Sequence, residues 1–211
     1  LAACRAALEE GLRPTVFERA AGVGGLWRGD GTGKVWRSLR TNLSKYTCAF
    51  SDAPWPEEAP DFPTAAEMQE YLEGYASRHG LLNYLRSRAE VTRVEPLVGD
   101  SGAQERRGWR VTWEGEGLSA KRDEFEFVIV ATGIFSRPEV DTTLGADGFQ
   151  GKVIHAAEYR EPAQFAGLRV LVVGAAFSGA DIAADIAAQA AVVTVASRRP
   201  VWYLPRYING R

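Results

Sequence analysis

The sequence predicts an α/β fold holding two Rossmann-like βαβ units, both incomplete within this chain, and three observations carry the prediction. Arg169-Val-Leu-Val-Val173 is an aliphatic run of the kind buried in a parallel sheet. Gly174-Ala-Ala-Phe-Ser-Gly179, a helical pattern and a second β-branched run, Val192-Val-Thr-Val-Ala196, follow it. Near the start, a helix with a small-residue face leads through Gly11 into a strand that ends in an acid, Glu18. Between these regions lie strand-like stretches separated by glycine-rich turns, the pattern of antiparallel hairpins.

In chain order, Ala2, Ala3, Ala6, Ala7 and Leu8 give the first helix a smooth face that can lie close against a sheet, and Gly11 ends it. Arg13-Pro-Thr-Val-Phe-Glu18 reads as a strand, and Gly22-Val-Gly-Gly-Leu-Trp27 as the loop after it. Pro54, Pro56, Pro60 and Pro63 forbid a regular element over 51–63. Thr64-Ala-Ala-Glu67 is a capping box opening a helix that runs to about Gly80, with Met68, Tyr71, Leu72 and Tyr75 on one face. Strands are expected over 90–95, 109–113 and 125–131, with turns at 99–102 and 114–117. From Leu168 the order is buried strand, turn, helix and strand, with Ala180, Ile182, Ala183, Ile186 and Ala187 on the packed helix faces.

Composition limits the function. The 211 residues carry 25 Lys+Arg against 27 Asp+Glu, so there is no basic excess to hold nucleic acid or an anionic membrane surface. Cys4 and Cys48 cannot build a disulfide framework, and with only His79 and His155 beside them no metal site is expected. Their isolation points to a reducing compartment and to cysteines used as small buried side chains. The longest apolar run, 170–177, falls far short of the roughly 20 residues that span a bilayer, so no membrane anchor is visible, and no secretory signal is recognised. Both ends of the chain read as cuts through a larger protein.

The strand, turn and helix from Arg169 form the context that a dinucleotide-binding glycine motif requires. Gly174 and Gly179 hold the first and last glycine positions and Ala176 the middle one, where a methyl narrows the space for a pyrophosphate; Ser178 adds a hydroxyl at the helix N-terminus. A tight turn without a ligand is the bland alternative. At the end of the next strand, where an NAD site carries an acid, stand Ser197-Arg198-Arg199. Guanidinium groups there suit a 2′-phosphate, so NADPH is favoured over NADH, unless the two arginines are merely solvated charges. Glu18 ends the other strand, and the rule places such an acid about 20 residues beyond the phosphate-binding glycines. The first strand and its glycine loop are therefore expected before Leu1, with Glu18 holding a ribose such as that of FAD, unless it is merely a surface glutamate.

At this point the sequence resembles the flavin-containing monooxygenases. Phe149-Gln-Gly151-Lys-Val-Ile-His155-Ala-Ala-Glu-Tyr159 matches the family pattern Phe-x-Gly-x-x-x-His-x-x-x-Tyr at every fixed position. Phe17-Glu18, Gly24-Gly25-Leu26-Trp27, Thr41-Asn42, Val130-Ala-Thr-Gly133 and Ser178-Gly-Ala-Asp181 occur in the family's order. Baeyer–Villiger monooxygenases share the layout but usually carry Trp where Tyr159 stands.

The resemblance implies an FAD domain, residues 1–148, lacking its first strand, then the hinge fingerprint and the start of an inserted NADPH domain, 149–211. Glu18, Gly24, Gly25, Leu26, Trp27, Thr41, Asn42 and Leu43 are the residues it assigns to FAD and to the place where FAD and NADP meet, with Asn42 beside the reacting flavin edge as the catalytic candidate. Gly174, Ala176, Ser178, Gly179, Ala180 and Asp181, with Arg198 and Arg199, are assigned to NADPH. His155 is read as a tie between segments of the hinge rather than as a proton carrier.

The activity implied is oxygenation of soft nitrogen or sulfur nucleophiles, N,N-dimethylaniline among them, by dioxygen through a flavin hydroperoxide. The location implied is the cytosol or the cytosolic face of the endoplasmic reticulum, and a homo-oligomer stays open. A truncated relic or interaction module without flavin is the alternative from a different class. A flavin disulfide reductase fits poorly, because Cys4 and Cys48 form no close pair.

Overall fold

A computed structural model describes residues 1–98, 106–117, 119–139 and 148–207. The chain divides into two compact units, residues 1–25 with 69–134 and residues 26–68 with 135–211. The fold is α/β, as predicted.

In the first unit α1 (Ala2–Glu9) ends where the sequence says it should. Gly11 has φ +73°, and the amides of Gly11 and Leu12 donate to the carbonyls of Leu8 and Ala7 (3.0 and 2.9 Å), a Schellman closure. Arg5 ties α1 to α2 (Ala65–Arg78), donating to the Tyr75 hydroxyl at 3.2 Å. Burial raises the Cys4 thiol pKa.

The predicted strand over 13–18 shortens to β1 (Val16–Glu18), which pairs in parallel with β2 (Leu85–Ser87), Val16 opposite Leu85. β3 (Ala89–Val98), β4 (Arg106–Gly115) and β5 (Lys121–Phe125) form the expected antiparallel meander. Phe17 of β1 packs its ring against Trp113 at 5.6 Å and Phe125 at 5.9 Å. Arg86 lies over both Phe17 and Trp113 and bonds Asp123 at 2.5 Å, and the same carboxylate accepts from the Trp113 indole at 2.9 Å.

The third predicted strand, 125–131, is corrected: the strand occupies Lys121–Phe125, and Phe127, Ile129 and Val130 are exposed outside any strand. Register decides this, because Trp109 pairs with Phe125 and Arg110 meets Glu124 in a cross-strand ion pair at 2.8 Å. The turn near 114–117 narrows to 116–117, since β4 runs on to Gly115. The turn at 99–102 lies outside the described residues.

In the second unit the capping box forms as predicted. Glu67 Oε2 accepts from the Thr64 amide and hydroxyl at 2.7 and 2.8 Å, and Thr64 Oγ1 accepts from the Glu67 amide at 3.2 Å. Those bonds hold the Glu67 carboxyl below its ordinary pKa. The proline-rich connection has no helix or strand. It is stapled by the buried Lys45 ammonium, which donates to the carbonyls of Glu57 and Ala59, both at 2.6 Å.

β6 (Arg169–Val173), α3 (Phe177–Ala187) and β7 (Val192–Ala196) make the expected strand–helix–strand unit, with β6 and β7 parallel and Val170 opposite Val193. Ile182, Ala183 and Ile186 are buried, and Ile182 and Ile186 share a core with Trp36 and Tyr159; Ala187, expected on a packed face, is exposed. β6 is not the buried strand expected: Leu171 is 61% and Val173 55% exposed. Among the described residues the sheet holding it has two strands, and α3 covers one face only.

Candidate nucleotide-binding sites

The turn after β6 meets two of the three demands that a pyrophosphate makes. Gly174 takes φ +100°, a conformation L side chains rarely adopt, while its amide donates to the Ala196 carbonyl at 2.9 Å and extends the β6–β7 ladder. A Cβ on Gly179 would lie 2.1 Å from the Gly174 carbonyl oxygen, so only glycine lets α3 start this close to the strand end. Ala176 caps α3 with φ −75°, which any residue adopts, so its methyl bears only on how near a ligand comes. The first bond of this helix start runs from the Ala180 amide to the Ala176 carbonyl (2.9 Å). That places the amides of Phe177, Ser178 and Gly179 at a helix N-terminus suited to an anion. Ser178 is exposed there, and Arg198 and Arg199 are exposed on a bend just past β7, held by the Ser197 hydroxyl bonding the Arg199 carbonyl at 2.8 Å.

Thr41, Asn42 and Leu43 follow Arg40, which bridges to Thr64. Thr41 is 3% exposed; its amide donates to the Pro63 carbonyl at 2.9 Å, and its Oγ1 has no hydrogen-bond partner among the described residues. An orphaned buried hydroxyl is uncommon and fits a position completed by a ligand. Asn42 and Leu43 are exposed beside it.

Sequence reasoning missed Arg206, which gathers this segment to α3. Its Nε donates to the Thr41 carbonyl at 3.3 Å, and its Nη2 lies 3.2 Å from Asn42 Oδ1 and 3.3 Å from Asp181 Oδ2. No motif marks it, because its partners lie 165, 164 and 25 positions away in sequence.

In the first unit Glu18 closes β1, and its Oε1 accepts from the Ala20 amide at 2.8 Å. Gly24 and Gly25 follow with φ +120° and +50°. Leu26 and Trp27, in the second unit, complete a short 3₁₀ turn, and the Leu26 carbonyl accepts from the Lys34 amide at 3.0 Å. The buried Arg28 bonds Asp30 and the Thr32 hydroxyl, holding the Asp30 carboxyl far below the usual carboxylate range.

Each fixed position of the 149–159 fingerprint has a structural reason. A Cβ on Gly151 would lie 2.5 Å from the Phe149 ring. His155 Nδ1 accepts from the Ala157 amide at 3.0 Å while Glu158 accepts from the His155 amide at 3.1 Å, so the imidazole caps a turn. Tyr159 is 1% exposed, stands edge-on to Trp36 at 6.0 Å and donates to Asp185 Oδ2 at 2.6 Å. Burial, then that carboxylate, raises its pKa well above the ordinary phenol value.

The family described as flavin-binding monooxygenase-like matches residues 1–210. The chain belongs to this family. Among curated flavin monooxygenases, flavin-containing monooxygenase 3 of Rattus norvegicus is 36% identical over 99% of this chain and 40% of its own length. Dimethylaniline monooxygenase [N-oxide-forming] 4 of Mus musculus is 37% identical over all of this chain and 38% of its own. The chain thus spans about 40% of the length of these relatives. Among solved flavin monooxygenases, S-allyl-L-cysteine S-oxygenase from Allium sativum superposes with a TM-score of 0.83 at 27% identity, over 98% of this chain and 50% of that one. Cyclohexanone monooxygenase from Rhodococcus sp. Phi1 bound to NADP+ gives 0.70 at 26% identity, over 95% of this chain and 36% of that one. No helix among the described residues is long and apolar enough to cross a membrane.

Proposed function

We propose that this chain is part of an FAD- and NADPH-dependent monooxygenase that transfers one oxygen atom of dioxygen to soft nitrogen or sulfur nucleophiles of small molecules. In this reading residues 1–148 belong to the FAD-binding domain and 149–211 to the hinge and the start of the NADPH-binding domain. The observation that carries it is the turn after β6, where Gly174 at φ +100° and Gly179 against its carbonyl open α3, followed at the end of β7 by two exposed arginines instead of an acid.

The residues present fit both coenzymes. Amides 177–179 and the Ser178 hydroxyl suit a pyrophosphate, Arg198 and Arg199 a 2′-phosphate, and Glu18 a ribose. The orphaned Thr41 hydroxyl and the exposed Asn42 carboxamide offer hydrogen bonds where the coenzymes meet. Bound flavin supplies the dioxygen chemistry and NADPH the electrons. The protein's part is to bind, orient and exclude water, with Asn42 as the group that touches the reacting centre. Sulfur and nitrogen as targets agree with the S-oxygenase and N-oxide-forming relatives. The location proposed is the cytosol or the cytosolic face of the endoplasmic reticulum. The test is the purified full-length protein with NADPH and methyl phenyl sulfide: a flavin spectrum and sulfoxide are expected, and a protein without flavin, or a flavoprotein yielding no product from any sulfide or amine, refutes the reading.

A further inference from the structure

The geometry points to Arg206 as a positioning residue that sets the orientation of the Asn42 carboxamide and couples it to the first turns of α3 through Asp181. This inference rests on the proposed function. Three facts support it. Arg206 reaches both neighbours with one nitrogen, Nη2, at 3.2 Å from Asn42 Oδ1 and 3.3 Å from Asp181 Oδ2, while Nε engages the Thr41 carbonyl at 3.3 Å. A guanidinium only donates, so the carboxamide must turn its oxygen to Arg206. Its Nδ2, which makes no bond to the described residues, is then left as a two-hydrogen donor for a ligand acceptor. Finally, the Asp181 carboxylate pairs with that nitrogen from α3 while the Thr41 carbonyl holds Nε, so the guanidinium is fixed from two segments rather than by the ion pair alone.

Without Arg206, Asn42 turns freely and presents oxygen as readily as nitrogen. The planar fork matters as well as the charge, since one ammonium cannot hold Thr41, Asn42 and Asp181 in the same arrangement. A dinucleotide seated on the amides that open α3 would then be read against a fixed donor on Asn42. Arg206 touches neither coenzyme in this account and acts through Asn42.

The test uses the full-length holoprotein and follows NADP+ binding to the oxidised flavin by its difference spectrum, with kcat and KM for NADPH beside it. Arg206→Gln is expected to weaken NADP+ by about fivefold or more, the worth of roughly one ordinary hydrogen bond, since Arg206 acts on the ligand only through Asn42. Combined with Asn42→Ala it should add less than about twofold to the defect of Asn42→Ala alone, because both remove one interaction. Arg206→Lys should recover part of the loss. Multiplicative effects, an unaltered Arg206→Gln, or an Asn42→Ala that leaves NADP+ binding untouched each overturn the inference. If Arg206→Gln loses its flavin on purification, Arg206→Lys carries the test: a loss of at least about twofold is expected, and wild-type affinity overturns it. A wild-type holoprotein that binds no NADP+ instead sinks the proposed function, which separates the two failures.

Discussion

Replacing Gly179 by alanine tests the strand–turn–helix geometry at its tightest point. The added methyl would stand 2.1 Å from the Gly174 oxygen and 2.9 Å from its carbon, both backbone atoms. Ordinary contact needs about 3.5 Å, so the first turn of α3 must withdraw by more than about 1 Å. That movement loosens Ile182, Ala183 and Ile186, which are buried, and works against the tie from Asp185 to Tyr159. Overpacking against backbone costs about 2–3 kcal/mol, or roughly 2–3 °C in the thermal midpoint of a protein of the relatives' full length. The amides of residues 177–179 move with the helix, and misplacement on this scale costs a binding site about tenfold or more. Thermal unfolding and NADP+ titration of the full-length flavoprotein would measure both effects, with flavin content expected to hold. Ala176→Gly is the matched control: the backbone at φ −75° gains nothing, stability falls by under about 1 kcal/mol, and NADP+ binds more tightly. A Gly179→Ala protein with an unshifted midpoint and unchanged affinity would refute the reasoning.

Removing both Arg198 and Arg199 should raise KM for NADPH by about 10- to 100-fold and leave KM for NADH nearly unchanged, measured as the ratio of the two. Tyr159→Phe removes the bond to Asp185 and should lower stability by about 1–2 kcal/mol, seen in denaturant unfolding as a shifted midpoint at constant slope. Thr64→Ala breaks the capping box and should cost about 1 kcal/mol near neutral pH. The Thr64 amide, which the variant keeps, and then the hydroxyl, which it loses, lower the folded-state pKa of Glu67, so the hydroxyl's share of that contribution is present above the ordinary carboxylate value and is lost as pH falls through the lowered one. The difference between wild type and Thr64→Ala should therefore shrink in acid, and a constant difference across pH 2–7 would contradict the assignment.

What could be read in advance was local chemistry. Thr64 and Glu67 are three residues apart and need nothing else to cap α2, and Gly11, Gly174 and Gly179 answer backbone demands set by their immediate neighbours. The fingerprint from Phe149 to Tyr159 was legible as a pattern, but its physical reasons, a ring over Gly151 and a phenol on Asp185, required coordinates. Misreadings came where distant partners decide. β5 is written in charges, Lys121-Arg-Asp-Glu, and forms because Arg110 and Trp113 wait across the ladder. β2 has three residues and no periodicity to betray it. Nothing in its local sequence sets Arg206 apart, and only the fold brings it to Asn42 and Asp181.

The most direct measurement supplies the full-length protein with NADPH and methyl phenyl sulfide under ¹⁸O₂ and weighs the sulfoxide by mass spectrometry. One heavy oxygen per product molecule is predicted, with NADPH consumed in step. Sulfoxide carrying oxygen from water, or NADPH oxidised with no labelled product, would contradict the account.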